Sequence, residues 1–159
     1  MSKYLGEYEA ELVSKNENEN INIGILRLHN VYGPYSSYED NTSQVIPSLI
    51  KKTLNSTDSL EIWGSGVQYR DFVYVDDVVN ALCLILDKGM NKGIIQIGTG
   101  VPTTVNKIAE LLVQFHDKNI KIKNNLDKPE GDFGRLAIIT RAKDVLNWEP
   151  KIDFNEGLE

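Results

Sequence analysis

Strand-like and helix-like segments alternate along the chain. Short apolar runs, typical of β-strands, occupy 21–28, 60–63, 71–75, 93–98 and 120–122. Apolar residues recur at the spacing of an amphipathic helix in 3–15, 45–50, 77–87, 105–115 and 140–146. A chain that alternates in this way packs helices against a largely parallel sheet. The sequence therefore predicts an α/β fold.

The same pattern predicts which segments are buried. Apolar residues alternate at the start of the run 21–28 and become consecutive toward its end. We therefore expect a buried strand of the kind found in parallel sheets. The helix at 77–87 is apolar on most faces and should be well buried, with Cys83 as a core filler. Residues 29–43 are expected to form a long polar loop, and long loops in compact domains are often functional.

Short polar side chains precede two of the predicted helices. Asp76 or Asp77 is expected to cap the helix at 77–87 by accepting its unpaired backbone N–H groups. Thr103 or Thr104 should cap the helix at 105–115 in the same way.

Composition excludes several classes of protein. The 159 residues suffice for one sizeable core, and 17 basic against 23 acidic side chains give a net charge of −6. Non-specific nucleic-acid binding needs clustered Lys and Arg, so nucleic acid is not an expected partner. No apolar run approaches the roughly 18 residues of a membrane span, so no membrane partner is expected either.

The cysteine and histidine content predicts neither a disulfide framework nor a metal site. Cys83 is the only cysteine, which excludes a multi-cysteine zinc site and suits a reducing, cytoplasmic setting. His29 and His116 are far apart in sequence, and neither sits in a cluster of metal ligands. The spacing G-x-G-x-x-G of a dinucleotide-binding loop does not occur among the 12 glycines.

Five segments carry a resemblance to one family. They are Arg27–Pro34 (RLHNVYGP), Ser43–Pro47 (SQVIP), Gly64–Asp77 (GSGVQYRDFVYVDD), Ile97–Gly100 (IGTG) and Leu146–Pro150 (LNWEP). In this order and spacing they resemble the motifs of nucleotide-sugar epimerases and dehydratases, which are extended short-chain dehydrogenases/reductases. The resemblance implies the C-terminal part of an extended Rossmann-type fold. Residues 1–30 would be the tail end of the NAD-binding domain, and 31–159 the domain that binds the nucleotide sugar.

The first residues resemble the end of the family's catalytic Y-x-x-x-K motif. Lys3 takes the lysine position, and Glu7 matches a glutamate that usually follows four residues later. Lys3 is thereby implied to be catalytic and to contact the nicotinamide ribose of NAD or NADP. The catalytic tyrosine would lie two residues before Met1. We therefore expect the substrate-binding half of an enzyme that is a homodimer when intact, and no turnover by this half alone. The alternative is a non-catalytic nucleotide-sugar binding module or a complementing subunit of a split enzyme.

Two candidate ligands of the substrate come from the residues themselves. Arg70 lies between a glycine turn and a strand, and a guanidinium fork pairs well with the phosphates of a nucleoside diphosphate sugar. The alternative is a surface arginine paired with Asp71. Asn30 follows the strand 21–28, and ligands of α/β proteins lie at the carboxyl ends of strands. Its alternative role is to cap the loop in a left-handed conformation.

The remaining candidates rest on the resemblance. Gln44 and Val45 lie in the segment that resembles the one packed on the substrate nucleotide in this family. Arg135 lies in the run P-E-G-x-x-G-R, which is similar to a run in GDP-mannose 3,5-epimerases. The arginine of that run holds phosphate in those enzymes. Lys128 is a weaker phosphate candidate, and a solvated side chain is the alternative for Arg135. Tyr32 either packs on the cofactor or fills the base of the loop. Val45 also departs from the 3,5-epimerases, whose acid lysine would stand there.

Overall fold

The computed structural model describes residues 2–15, 20–39, 43–116 and 119–159. The helices are α1 (Ser2–Ser14), α2 (Val45–Asn55), α3 (Val75–Leu84), α4 (Val105–Phe115) and α5 (Phe154–Leu158), with π-helical turns at Ile85–Gly89 and Ala142–Leu146. The strands are β1 (Ile25–Leu28), β2 (Asn30–Tyr32), β3 (Ser59–Trp63), β4 (Tyr69–Arg70), β5 (Phe72–Tyr74), β6 (Ile94–Ile97), β7 (Thr103–Thr104), β8 (Lys121–Asn125) and β9 (Gly134–Arg135).

Most strand pairs are parallel, as an α/β fold requires. β1 pairs with β6, β2 with β5, and β3 with β8, all in parallel. β4 lies between β7, which is antiparallel to it, and β9, which is parallel. The connections between parallel partners run through helices, which explains the alternation seen in the sequence.

Two hydrophobic clusters form the interior. The first contains Leu60 and Ile62 of β3 and packs α2 and α4 against that strand. The second contains Ile95 and Ile97 of β6 and packs α3 and the turn Ala142–Leu146 against that strand.

The second cluster draws its members from segments that are distant in sequence. Leu26 and Val31 pack against it, together with residues as late as Trp148. The second cluster therefore joins early and late parts of the chain. The division into residues 1–30 and 31–159 stays a prediction.

The predicted buried strand at 21–28 is wrong in both length and burial. β1 begins only at Ile25, and Ile21 and Leu28 are 46% and 42% exposed. Among the described residues β1 is paired on one edge only, by β6, so its other edge and outer face stay uncovered. The predicted polar loop 29–43 also holds a short strand, β2, while its residues 40–42 lie outside the described part of the chain.

The expectation of a well-buried helix at 77–87 is also wrong. Val78, Ala81 and Ile85 face the second cluster, but Val79 is 51% and Leu86 67% exposed. A helix that packs on one side of a strand pair buries one stripe, whatever the polarity of its other faces. Cys83 lies on the uncovered side and is exposed, so it is not a core filler.

The predicted N-cap is found at one of the two helices only. Thr104 caps α4, because its hydroxyl accepts a hydrogen bond from the Lys107 N–H at 3.1 Å. Neither Asp76 nor Asp77 caps α3, whose N-cap is Tyr74. The buried Asp77 carboxylate instead accepts from the Lys151 N–H at 3.0 Å, which ties the C-terminal segment to α3.

Within the described ranges, no helix is both long and apolar enough to cross a bilayer.

Candidate functional site

A cavity of about 850 Å³ opens where several strands and the start of α2 meet. All five residues predicted to bind substrate line it: Asn30, Gln44, Val45, Arg70 and Arg135. They come from β2, from the residues that begin α2, from β4 and from β9. The structure therefore gathers residues that are up to 105 positions apart in sequence on one wall.

Arg70 and Arg135 are neighbours across the β4–β9 pair. The parallel register aligns Arg70 with Arg135, so both side chains leave the same face of adjacent strands. Arg70 Nη1 donates to the Tyr69 carbonyl at 2.7 Å and to the Asp132 carbonyl at 2.9 Å. Arg135 Nη2 lies 2.6 Å from the Asp132 carboxylate in an ion pair whose two side chains are 66% and 73% exposed. Two guanidinium groups thus face the cavity side by side.

Asp71 is not the partner of Arg70, so the surface-pair alternative is wrong. Its carboxylate is fully buried. It accepts from the Thr99 N–H at 2.6 Å, the Gly100 N–H at 2.8 Å and the Ala137 N–H at 2.9 Å. The side chain of Asp71 therefore fastens two backbone segments, one at Thr99 and Gly100 and one at Ala137, to the strand junction that carries Arg70.

Asn30 lies in a strand and not in a left-handed loop. Its N–H donates to the Asp71 carbonyl at 3.0 Å, and β2 pairs it with Phe72. Positive φ occurs elsewhere, at Tyr35 for example. The strand conformation contradicts the capping role and leaves the amide side chain on the cavity wall.

Tyr32 and Lys3 do not line this cavity. Tyr32 is buried in an aromatic cluster with Phe72, Tyr74 and Phe154, and burial raises the pKa of its phenol. This packing favours the role of filling the loop base. Lys3 is exposed on α1.

Helix α1 is tied to the strand that leads into the cavity. The Glu7 carboxylate accepts two hydrogen bonds from Arg27, at 3.0 and 2.6 Å. These bonds lower the pKa of Glu7. Glu7, noted in the sequence only for its place after Lys3, thus fixes α1 against β1.

A second cavity of about 480 Å³ adjoins the first and was not predicted from the sequence. The two share Val45, Gln68 and Val105 as lining residues. The indole of Trp63, 49% exposed, forms part of the second wall. Trp63 is an outward-facing residue of β3. The alternation of buried and exposed residues in that strand could have predicted this orientation from the sequence.

Two lysines flank this indole. Lys52 Nζ lies 5.3 Å and Lys128 Nζ 5.6 Å from the centroid of the Trp63 ring. Ammonium groups at such distances are attracted to the ring face. Lys128, the weaker phosphate candidate, therefore contacts Trp63 and is not a lining residue of the first cavity.

Residues 126–135, which we call the strap, run past both cavities. Pro129 lines the second cavity, and Gly131 and Arg135 line the first. The Glu130 carboxylate accepts from the Ser65 hydroxyl at 2.6 Å and from the Ser65 N–H at 3.2 Å, which lowers its pKa. The strap is thereby fastened to the glycine turn that precedes β4.

Among the residues that the structure describes, no cluster of three or more His, Cys, Asp or Glu is arranged to hold a metal ion. The polar side chains of the two cavities are mostly hydrogen-bond donors, namely guanidinium, amide, imidazole, hydroxyl and ammonium groups, with one carboxylate at Glu61. Such donors suit an anionic, hydrogen-bonding organic ligand.

Comparison with known proteins agrees with this geometry. Residues 1–98 match the NAD dependent epimerase/dehydratase family. The chain is 32% identical over 143 residues to GDP-mannose 3,5-epimerase of Arabidopsis thaliana, covering 90% of this chain and 37% of that protein. It is 35% identical over 138 residues to UDP-glucuronic acid decarboxylase 5 of the same plant, covering 87% and 39%.

Solved structures share the fold over nearly the whole chain. UDP-glucose 4-epimerase of Thermotoga maritima, solved with UDP-glucose, superposes with a TM-score of 0.83 at 35% identity, covering 98% of this chain and 49% of that one. MoeE5 in complex with UDP-glucuronic acid and NAD gives 0.82 at 28% identity, covering 98% and 51%. The chain thus spans about half the length of these structures and less of the two plant proteins.

Proposed function

Because the chain belongs to the NAD dependent epimerase/dehydratase family, we propose that it is the substrate-binding part of an enzyme that acts on a nucleoside diphosphate sugar. The observation that carries this proposal is the alignment of Arg70 with Arg135 on the cavity wall. A diphosphate carries about two negative charges, and paired guanidinium groups match them by charge and by hydrogen-bond geometry.

The rest of the ligand is assigned by the shape of the site. The base is proposed to stack on Trp63 in the second cavity, where its flat face meets the exposed indole. The sugar is proposed to lie in the first cavity beside Asn30 and Gln44, whose amides hydrogen-bond hydroxyls. Relatives whose names or titles specify UDP or GDP sugars support a nucleotide sugar as the ligand.

The cofactor implied by the family is NAD or NADP, and this chain offers residues for one end of it. Lys3 is proposed to donate to the ribose next to the nicotinamide, since the salt bridge from Glu7 to Arg27 holds α1 beside β1. Bound there, NAD or NADP would supply the hydride chemistry, with a transient keto-sugar as the form of the substrate between the two transfers. The part of this chain's own residues is to bind and orient: the arginines hold the diphosphate, and the amides of the cavity wall fix the sugar.

The test is calorimetric binding of UDP and GDP to the chain. We expect Arg70→Ala to weaken the tighter nucleotide by about 1.5–3 kcal/mol, the usual contribution of a charge-assisted hydrogen bond. Arg141→Ala is the matched control, because it removes the same charge from outside both cavities of the site. Equal effects of the two substitutions, or no nucleotide binding at all, would contradict the proposal.

Turnover tests whether this chain is a catalyst by itself, because the substrate-binding part of an enzyme and a non-catalytic binding module are both expected to bind the ligand without converting it. With NAD and a UDP or GDP sugar, the chain alone is expected to bind the sugar nucleotide without converting it. Conversion observed by NMR of the sugar protons would show that the chain is itself a complete catalyst.

A further inference from the structure

His29 lies between β1 and β2 and lines the first cavity beside Asn30. Its backbone N–H donates to the Ile97 carbonyl at 2.9 Å, which holds the residue against β6. One ring nitrogen, Nε2, lies 3.3 Å from Gln96 Oε1. Gln96 is not a lining residue of that cavity, so the contact engages His29 from outside the cavity and leaves its other ring nitrogen, Nδ1.

Gln96 determines which ring nitrogen of His29 carries the proton. The Ile138 N–H donates to Gln96 Oε1 at 3.2 Å, which fixes the orientation of the amide with its oxygen on this side. A carbonyl oxygen only accepts, so the Nε2 of His29 beside it donates. In a neutral imidazole the other nitrogen then carries no hydrogen, so Nδ1 is an acceptor.

Nδ1 is available to a ligand. No hydrogen bond joins it to a described residue, and it is not one of the buried unpaired atoms. The described residues that line the first cavity include no Asp or Glu. His29 is therefore the one titratable acceptor on a wall whose charged groups are guanidinium groups.

We propose that His29 Nδ1 accepts a hydrogen bond from a hydroxyl of the bound sugar, and that Gln96 is the positioning residue that keeps Nδ1 free of a proton. This rests on the proposed function, which assigns the sugar to the first cavity beside Asn30. Sugar hydroxyls donate, whereas diphosphate oxygens at neutral pH only accept. His29 thus strengthens the binding of a sugar nucleotide and not that of the nucleotide alone.

Calorimetry compares UDP-glucose with UDP, and GDP-mannose with GDP. His29→Phe keeps a flat ring and removes both nitrogens. It should weaken the tighter sugar nucleotide about 3- to 10-fold, the range of a neutral hydrogen bond, and leave the affinity for its parent nucleotide unchanged. His116→Phe is the matched control, because it alters the other histidine, which lines neither cavity.

Nitrogen-15 NMR of the two imidazoles tests the same contact in the wild-type protein, at about pH 8, where neutral imidazoles predominate. His29 is expected to carry its proton on Nε2, and its Nδ1 resonance should move with the sugar nucleotide and not with the nucleotide alone. Gln96→Leu should raise the share of the tautomer protonated on Nδ1, which a purely structural role of Gln96 would not do. His116 serves as the internal reference.

The outcomes separate this inference from the function on which it rests. Failure of all four ligands to bind overturns both. If the ligands bind, an effect of His29→Phe no larger than that of His116→Phe overturns the role of His29 alone. A His29 proton on Nδ1 in the wild-type protein, or an Nδ1 resonance that responds equally to UDP and UDP-glucose, overturns it as well and needs no variant.

Discussion

At the scale of single residues, the buried carboxylate of Asp71 holds the cavity wall together. It is fully buried, and three backbone N–H groups donate to it from two other segments. Exchange for an amide keeps one acceptor oxygen and puts an NH₂ group in place of the other, so the bonds to either Oδ1 or Oδ2 would be lost. Arg70 directly precedes Asp71 in the chain, so the position of the Arg70 guanidinium depends on this anchor.

We expect Asp71→Asn to destabilise the fold by about 1.5–3 kcal/mol, since an amide NH₂ would face donors where a charged acceptor stood. Urea unfolding followed by tryptophan fluorescence measures the loss. Asp58→Asn, at an exposed position, is the control and should leave the midpoint within error. An Asp71→Asn protein as stable as the control would show that the carboxylate is not the anchor.

Glu130 makes the fastening of the strap depend on pH. Bonds from the Ser65 hydroxyl and N–H lower the pKa of Glu130 in the folded protein. A lowered pKa means that the contact is fully present above the ordinary pKa of a glutamate and is lost as the pH falls through the lowered one.

We therefore expect the Glu130 carboxyl carbon, followed by NMR, to titrate below the range of a free glutamate. Ser65→Ala removes the hydroxyl donor and should move that titration upward. Ser14→Ala removes a hydroxyl that bonds within α1 and should leave the titration unchanged. An unaltered midpoint in Ser65→Ala would refute the fastening.

At the scale of elements, the strap meets the site through the short strand β9. Gly134 lies against the ring of Tyr69, so a methyl group added there would overlap the ring atoms. Phe133 packs edge-on against the same ring, with centroids 5.4 Å apart. The alignment of Arg135 with Arg70 therefore depends on a close approach that only glycine permits.

We expect Gly134→Ala to push β9 away from β4, which displaces Arg135 and weakens nucleotide binding by about 1.5–3 kcal/mol, the usual contribution of a charge-assisted hydrogen bond. Global stability should change little, because β9 contributes only two residues at a sheet edge. Gly6→Ala is the control, since its added methyl would meet no atom within 4 Å. Affinity and urea midpoint are measured on both, and unchanged affinity in Gly134→Ala would show that the register tolerates the methyl.

Elements long enough to show a period were predictable, and shorter ones were not. The helices α1 and α4 and the strand β3 lie where apolar spacing placed them. β2 and β9 have three and two residues, too few to show any period. The exposed stripe of α3 was missed because polarity does not say how many faces of a helix are covered.

The residues of the site also divide into those that the sequence predicted and those that it did not. Arg70 and Asn30 were found from their places beside predicted strands and Arg135 from a motif, and the cavity gathers all three. Trp63 was missed as a functional candidate because the second cavity, which it lines, forms only when α2, β3 and α4 come together. The alternation of β3 marks Trp63 as an outward residue but does not show which elements meet beside it.

At the scale of the whole molecule, apolar surface remains on the outside. Tyr4, Leu5, Tyr8 and Leu12 of α1 are all more than half exposed. Leu5, Tyr8 and Leu12 recur at helical spacing, so they form one stripe, while Glu7 on the same helix is bonded to Arg27 of β1. An uncovered apolar stripe of this kind marks a surface that associates with another protein surface.

We expect the chain to self-associate through this stripe, so that its mass by light scattering rises with concentration. Leu5→Glu with Leu12→Lys keeps the net charge and removes the stripe, and should give a monomer at every concentration tested. Leu126→Lys, which alters a 74% exposed leucine of the strap, is the control and should associate like the wild type. Circular dichroism verifies that α1 persists in the double variant, because both replacements are good helix formers. A wild-type chain that stays monomeric would contradict the prediction. A double variant that associates as before would exclude α1 as the contact and leave the exposed face of α3 as the surface to test next.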